Sequence, residues 1–240
     1  MNTLPRLYLI TDRRRIAGAR LLDALDEAFR AGVRLAMLRE RDLPAGELLE
    51  YAREAARLAR RRGARLLVND RVDVALLAGA DGVHLRASSV PVAAARGLLG
   101  PGRLLGASVH TAGEARLAIA AGADFVLFGP VFETPDKTPF RPPQGLAPLA
   151  AAAHAARGPV FAVGGVTPER VAECLGAGAH GVAAIRGILG GPSIGGRVRA
   201  YAREIAAASR GPRAAHGARG AGGAIAARPA RERTRPRSRP

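Results

Sequence analysis

The residues that could do chemistry stand in small polar groups directly after short apolar runs. The glycine pair Gly164-Gly165 comes shortly before Thr167-Pro168-Glu169. Glycines close to a helix start free backbone N–H groups, which bind phosphate well. Arg186-Gly187, in the segment AAIRGILGG, follows a later apolar run and has the same character. The two turns together predict a phosphate-binding site.

Basic side chains supply further candidates for binding an anion. Arg39 and Arg41 offer N–H donors for phosphate or carboxylate oxygens, although an ordinary exposed turn would look the same. Lys137 is the single lysine among 37 basic residues and lies in the polar loop that begins near Thr134. A lysine is a compact point charge suited to a phosphate or a developing anion, and the alternative is a solvated loop side chain.

Two further side chains could move a proton or hold a metal ion. His110 follows Ser108, and its imidazole could give or take a proton near neutral pH. The alternative is a histidine bonded to backbone at a helix start. Asn69-Asp70 ends another apolar run, where Asp70 could hold Mg²⁺ through its carboxylate or serve only as a helix N-cap. His84 lies inside an apolar run and is expected to be structural.

These groups need a scaffold that brings them together. Before Arg210, β-branched or Leu-rich runs alternate with Ala-rich helical patterns such as Leu21–Ala31 and Glu47–Arg62, which indicates βα units and a parallel sheet. The pattern predicts one (β/α)8 TIM barrel whose strand ends gather the polar groups at a single mouth. The eight predicted strands are Leu7–Thr11, Leu35–Leu38, Ala64–Val68, Gly82–Leu85, Leu104–Ser108, Phe125–Phe128, Val160–Val163 and Gly181–Ile185.

An internal repeat supports the barrel. AGADGV, AGADFV and AGAHGV, which start at Ala78, Ala121 and Ala177, each join the end of a helix to a strand, and their glycine suits a helix C-cap. A doubly wound dinucleotide-binding sheet would need a glycine-rich turn after the first strand, and LYLITDRRR has none. The barrel is therefore preferred.

The basic charge is concentrated at the C-terminus. The chain has 240 residues and a net charge of +17, and nine Arg and one Glu lie between Arg210 and Pro240. This segment has almost nothing to bury, which predicts a barrel domain over residues 1–209 and a disordered tail over 210–240. The tail could touch nucleic acid weakly through its charge.

Other features of the sequence indicate where in the cell the protein is expected. No apolar run approaches the ~20 residues that span a bilayer, and the N-terminus does not resemble a signal peptide, so we expect a cytoplasmic protein without a membrane partner. Cys174 is the single cysteine, and its apolar surroundings predict a buried helix residue. The sequence is compatible with a homo-oligomer as well as with a monomer.

The motifs resemble one family, that of thiamine phosphate synthase and the related TenI-type thiazole tautomerase. The similarity spans about Leu7 to Gly190 and is carried by LYLITD, LRER, LLVNDRVDVALLAGADGVHL, GASVHTAGEA, ADFVLFGPVFETPDK and PVFAVGGVTPE. The resemblance implies a (β/α)8 barrel that binds a thiazole phosphate and gives Lys137 a phosphate-facing role. In the synthases, a pyrimidine pyrophosphate ionises with Mg²⁺ and basic residues assisting, and the thiazole nitrogen captures the carbocation. In the tautomerases a histidine, here His110, would move a proton without a cofactor.

Departures from the family pattern favour the tautomerase. The synthase motif HLGQEDLP reads HLRASSVP here, which places Ser89 where a second Mg²⁺-binding carboxylate is expected. The usual REK ends in Arg41, and Asp136 replaces a threonine before the loop lysine. We therefore expect a thiazole tautomerase, with a synthase that uses Asp70 for Mg²⁺ as the alternative. A non-catalytic protein that binds a thiamin-pathway phosphate is a further alternative.

Overall fold

Eight parallel strands close into a barrel. The structure is a computed structural model and describes residues 4–16, 20–134 and 142–210. Each strand pairs with the next one along the chain, and β8 returns to β1 through pairs such as Leu7 with Val182. The predicted (β/α)8 barrel is confirmed. The strands are β1 Leu7–Ile10, β2 Leu35–Leu38, β3 Arg65–Asn69, β4 Gly82–Leu85, β5 Leu104–Val109, β6 Phe125–Phe128, β7 Val160–Ala162 and β8 Gly181–Ala184.

Helices cover the outside of the barrel, and short 3₁₀ turns at Arg13–Arg15 and Pro168–Arg170 extend two of the connections. Every predicted strand agrees with the observed one to within one residue at each end. Helix α2 begins two residues before its predicted start because the Pro44 carbonyl accepts its first bond, from Leu48 N at 2.9 Å. The helices are α1 Leu21–Arg30, α2 Ala45–Arg61, α3 Val72–Leu77, α4 Val92–Leu99, α5 Ala112–Ala120, α6 Leu146–Ala156, α7 Val171–Gly176, α8 Arg186–Leu189 and α9 Ile194–Ser209.

The core has two layers. The larger lies between the strands and the helices, where alternate side chains of each strand meet the apolar helix faces. The smaller fills the barrel, and at its lower end Tyr8, Phe125 and Phe161 pack edge to face with ring centroids 5.4 to 5.7 Å apart. Such contacts favour close aromatic packing. Among the described residues, the barrel interior is therefore filled near the strand starts, and its cavities lie at the strand ends.

The repeated AGA turns end three helices as predicted. Gly79, Gly122 and Gly178 follow the C-caps of α3, α5 and α7 with φ values of 64°, 105° and 89°. A left-handed residue after the C-cap lets the chain reverse into the next strand, and glycine adopts it without a Cβ clash.

Helix α9 closes the fold and supports the loop after β7. The Tyr201 hydroxyl donates to the Val166 carbonyl at 2.7 Å, and Gly195 N donates to Glu27 Oε1 at 2.7 Å. Burial raises the pKa of the Cys174 thiol to about 11, so it remains the protonated, inert helix residue that was predicted. In the described ranges, no helix is long and apolar enough to cross a membrane. The predicted tail beyond Arg210 lies outside those ranges.

Candidate active site at the barrel mouth

The polar groups that follow the strands surround three adjoining cavities at the C-terminal mouth of the barrel. We name them the phosphate cavity (about 560 Å³), the central cavity (about 220 Å³) and the side cavity (about 210 Å³). Arg41 lines all three, so they form one continuous site. The predicted residues that line this site are Arg39, Arg41, Asn69, Asp70, Ser108, His110, Thr134, Gly164, Gly165, Arg186 and Gly187.

The phosphate cavity is shaped by backbone. Gly164 and Gly165 have φ values of 96° and 62°, and a Cβ on Gly165 would lie 2.8 Å from the Cβ of Phe132. Their carbonyl oxygens accept bonds from Phe132 N and Arg170 Nη1, each at 3.0 Å. The carbonyl groups are thus bonded within the protein, and the N–H groups of the two glycines are the candidates for binding a ligand in the cavity. Only glycine fits this conformation and this close approach.

We expect Gly165→Ala to weaken phosphate binding about tenfold and to cost roughly 1–3 kcal/mol of folding free energy. The added methyl group would strain the left-handed backbone and push Phe132 away. Calorimetric titration with inorganic phosphate and urea unfolding measure the two effects. Gly46→Ala is the matched control, because a Cβ at Gly46 meets nothing within 4 Å. Unchanged phosphate affinity in Gly165→Ala would contradict this role of the turn.

Arg39 is held at the mouth by a buried network. Its main-chain N donates to Thr11 Oγ1 at 2.9 Å, and the Thr11 hydroxyl donates to Glu40 Oε1 at 2.6 Å. Glu40 is buried and also accepts from the main chain and the guanidinium of Arg13, at 3.1 and 3.2 Å. Burial, followed by the nearby charge of Arg41, lowers the pKa of Arg39. A half-buried cation that is crowded by a second cation is suited to an anionic ligand.

A neutral histidine underlies the central cavity. His84 is buried with Nδ1 3.3 Å from the Tyr8 hydroxyl and Nε2 3.0 Å from Ser108 Oγ. Burial lowers the pKa of His84 to about 3, so the ring is uncharged at neutral pH. A neutral imidazole can accept a bond from Tyr8 and donate one to Ser108. His84 was predicted to be structural, and the structure shows that it also positions a site residue.

The lowered pKa of His84 predicts an acid-sensitive fold. The unfolded chain takes up a proton on this histidine as the pH falls below about 6.5, whereas the folded chain resists it until about pH 3. This stability is therefore full above pH ~6.5 and is lost towards pH 3, at up to ~1.4 kcal/mol per pH unit. When the pH is lowered from ~7 to ~5, the free energy of unfolding should fall less in His84→Gln than in wild type, by on the order of 1 kcal/mol, as measured by urea unfolding. The control is His154→Gln, an exposed change that should lose as much free energy of unfolding as wild type. A loss in His84→Gln as large as that of wild type would contradict the prediction.

His110 lies at the edge of the central cavity and is bonded to the protein through both its backbone and its ring. Its ring Nδ1 donates to the Gly129 carbonyl at 2.7 Å, and its main-chain N donates to Glu114 Oε2 at 2.7 Å. This is the backbone-bonded arrangement that the sequence left open as an alternative. The remaining ring nitrogen, Nε2, is the atom that could meet a ligand.

The side cavity is lined by two carboxylates, Glu40 and Asp70, and both already have partners. Arg86 Nε donates to Asp70 Oδ2 at 2.9 Å, and the Ser89 hydroxyl donates to Asp70 Oδ1. Asp70 has φ 66°, and the N-cap of α3 is Arg71. The interpretation of Asp70 as a helix N-cap is therefore wrong. Its carboxylate instead fixes the loop that follows β4.

Two groups of residues stand apart from the sequence prediction. Lys137 and Asp136 lie outside the described residues. Arg86, Glu40 and Thr11 were not predicted as parts of the site. The position of Arg86 directly after β4 was the available signal for this residue. The buried acceptor role of Glu40 depends on Thr11, 29 positions away, and left no local signal.

The fold and the site define a (β/α)8 barrel with a phosphate cavity and an arginine-rich mouth. The chain matches the sequence model of the family described as thiamine monophosphate synthase over residues 7–188, and it belongs to this family. It is 53% identical to a putative thiamine-phosphate synthase of Geobacter sulfurreducens, over 81% of this chain and 91% of that protein. It is 41% identical to a thiamine-phosphate synthase of Roseiflexus sp., over 84% and 86%. The solved thiamine phosphate pyrophosphorylase from Pyrococcus furiosus superposes with a TM-score of 0.77 at 30% identity, over 85% and 96%.

The expectation of a thiazole tautomerase is wrong. The relatives at 53% and 41% identity are named as synthases, which are transferases, and the solved neighbour as a pyrophosphorylase. The tautomerase hypothesis gave weight to the missing carboxylate at Ser89. The relatives show that this family member remains similar to the synthases along nearly the whole barrel.

Proposed function

We propose that the protein is a thiamine phosphate synthase that joins hydroxymethylpyrimidine pyrophosphate to thiazole phosphate and releases pyrophosphate. The observation that carries this proposal is a pair of anion subsites on either side of the central cavity. On one side lies the glycine-lined phosphate cavity, and on the other Arg41 and Arg86 line the side cavity. Two phosphorylated substrates could bind there with their rings meeting in the middle.

The joining reaction depends on stabilising charge rather than on transferring a proton. The bond between the pyrimidine methylene carbon and the pyrophosphate oxygen breaks, and both electrons leave with the oxygen. The lone pair of the thiazole nitrogen then forms the new carbon–nitrogen bond, so no proton moves in the joining step. Arg39 and Arg41 stabilise the departing negative charge. His110 consequently needs no acid–base role.

The neutral ring of His84 suits a carbocation at the central cavity. A protonated histidine would repel the cation, whereas the His84–Ser108 pair presents only a hydroxyl dipole to the cavity. The pair can therefore orient a substrate ring without opposing the ionisation.

Asp70 with Ser89 beside it is a weak donor set for Mg²⁺, and it would contact the ion only when the ion arrives already bound to the pyrophosphate. Asp70 and Ser89 offer adjacent oxygens, and Mg²⁺ usually takes one or two carboxylates together with water and phosphate oxygens. Within the described ranges, no group of three or more His, Cys, Asp or Glu side chains could hold a metal ion. Mg²⁺ would neutralise part of the pyrophosphate charge there.

Incubation of the purified full chain with both substrates tests the proposal. We expect thiamine phosphate and pyrophosphate to form together in the presence of Mg²⁺. Binding of thiazole phosphate with no product at any Mg²⁺ concentration would overturn the proposal and favour a non-catalytic ligand-binding protein.

A further inference from the structure

We propose that Arg86 binds the pyrophosphate. Its guanidinium supplies positive charge that a second metal-binding carboxylate would otherwise provide by binding Mg²⁺. The inference rests on the proposed function and concerns how the leaving group is held. It implies that this chain binds pyrophosphate without a divalent cation.

The first observation is the position of Arg86 directly against the candidate metal ligand. Its Nε bonds to Asp70 Oδ2 at 2.9 Å, and its main-chain N donates to Ser89 Oγ at 2.8 Å. The Ser89 hydroxyl in turn donates to Asp70 Oδ1, so both oxygens of the carboxylate accept from donors of the same short loop. A cation bound by Asp70 would have to share that carboxylate with the guanidinium, and the positive charges would repel each other.

The second observation is that the other acidic groups near this cavity already have partners. Glu40 is buried against Thr11 and Arg13, and Asp73 pairs with Arg71 at 2.5 Å. No further carboxylate in the described parts of the chain lines the side cavity. The protein therefore supplies a single acidic ligand and cannot hold Mg²⁺ tightly by itself.

The third observation is the position of the Arg86 side chain between two cavities. It is half-buried and lines both the side cavity and the central cavity, beside Arg41 in each. Its bond to Asp70 uses Nε, and among the described residues the two terminal nitrogens are the ones that remain for a ligand. A guanidinium offers a planar fork that matches phosphate oxygens, and bonds of this kind between charged groups are strong. Asp70 therefore orients Arg86 towards the position of the pyrophosphate.

Calorimetric titration of the full chain with inorganic pyrophosphate tests the inference without any turnover. In chelator, wild type should bind pyrophosphate, with an affinity that rises less than about threefold when excess Mg²⁺ is added. Arg86→Gln, which keeps a donor for Asp70, should bind about tenfold more weakly in chelator. Arg57→Gln, an exposed arginine on α2, removes the same charge outside the site and should bind as wild type.

A double variant should make pyrophosphate binding depend on Mg²⁺. Arg86→Gly combined with Ser89→Asp removes the guanidinium and adds a carboxylate beside Asp70, so pyrophosphate binding should rise at least about tenfold on addition of Mg²⁺. Thermal unfolding confirms that each variant is folded. Wild-type binding that appears only with Mg²⁺, or unchanged affinity of folded Arg86→Gln in chelator, would overturn the inference. Because the titration forms no product, its failure is distinguishable from a failure to make thiamine phosphate.

Discussion

Replacing Arg39 by Gln should lower kcat/KM for thiamine phosphate formation about hundredfold or more. A positioned donor near developing negative charge typically contributes 10²–10³-fold to the rate. Arg39 lines the central cavity, and its main chain is fixed by the bond to Thr11. Its partial burial strengthens this effect, because water screens the charge less. Steady-state kinetics on wild type and Arg39→Gln measure the loss.

The control for Arg39→Gln is Arg57→Gln, which removes one exposed positive charge far from the mouth. This variant should stay within about twofold of wild type, since a single distant surface charge changes little. A loss of less than about threefold in Arg39→Gln would contradict the role of Arg39 in stabilising the leaving group.

Replacing Glu40 by Gln should lower the free energy of unfolding by about 3 kcal/mol. The carboxylate accepts from the Thr11 hydroxyl and from two nitrogens of Arg13. An amide of the same size keeps one acceptor oxygen, but its NH₂ group replaces the other. With the oxygen kept on Thr11, the NH₂ group faces the two Arg13 nitrogens, which lose their acceptor and are opposed by a third donor. Urea unfolding measures the loss.

Glu54→Gln, an exposed change on α2, is the control and should alter the free energy of unfolding by less than ~0.5 kcal/mol. Glu40→Gln should also reduce activity, since the same network positions the main chain of Arg39. A Glu40→Gln protein as stable as wild type would show that the network does not organise the mouth.

The barrel could be predicted from sequence because its signals are local. Each strand is a short apolar run and each AGA turn a local chain reversal, so periodicity and glycine positions placed all eight strands to within one residue. The rule that strand ends gather functional groups then placed Asn69, Ser108 and Gly165 at one mouth.

The partners of the site residues could not be predicted in the same way, because they depend on contacts between distant segments. The sequence left Asp70 open as either a Mg²⁺ ligand or a helix N-cap, and neither alternative included its bonds to Arg86 and Ser89. The buried position of Glu40 likewise depends on its bond with Thr11. The choice of reaction failed for a related reason. Three altered positions, Ser89, Arg41 and Asp136, were given more weight than the similarity of the rest of the barrel, although Arg86 offers a positive charge beside the Asp70 carboxylate.

The most direct test of the synthase assignment is to follow product formation by the wild-type full chain supplied with hydroxymethylpyrimidine pyrophosphate and thiazole phosphate. We predict thiamine phosphate and pyrophosphate in equal amounts, because the bond that forms and the bond that breaks belong to one transfer. Pyrophosphate released without thiamine phosphate, or no reaction while both substrates bind, would contradict the assignment.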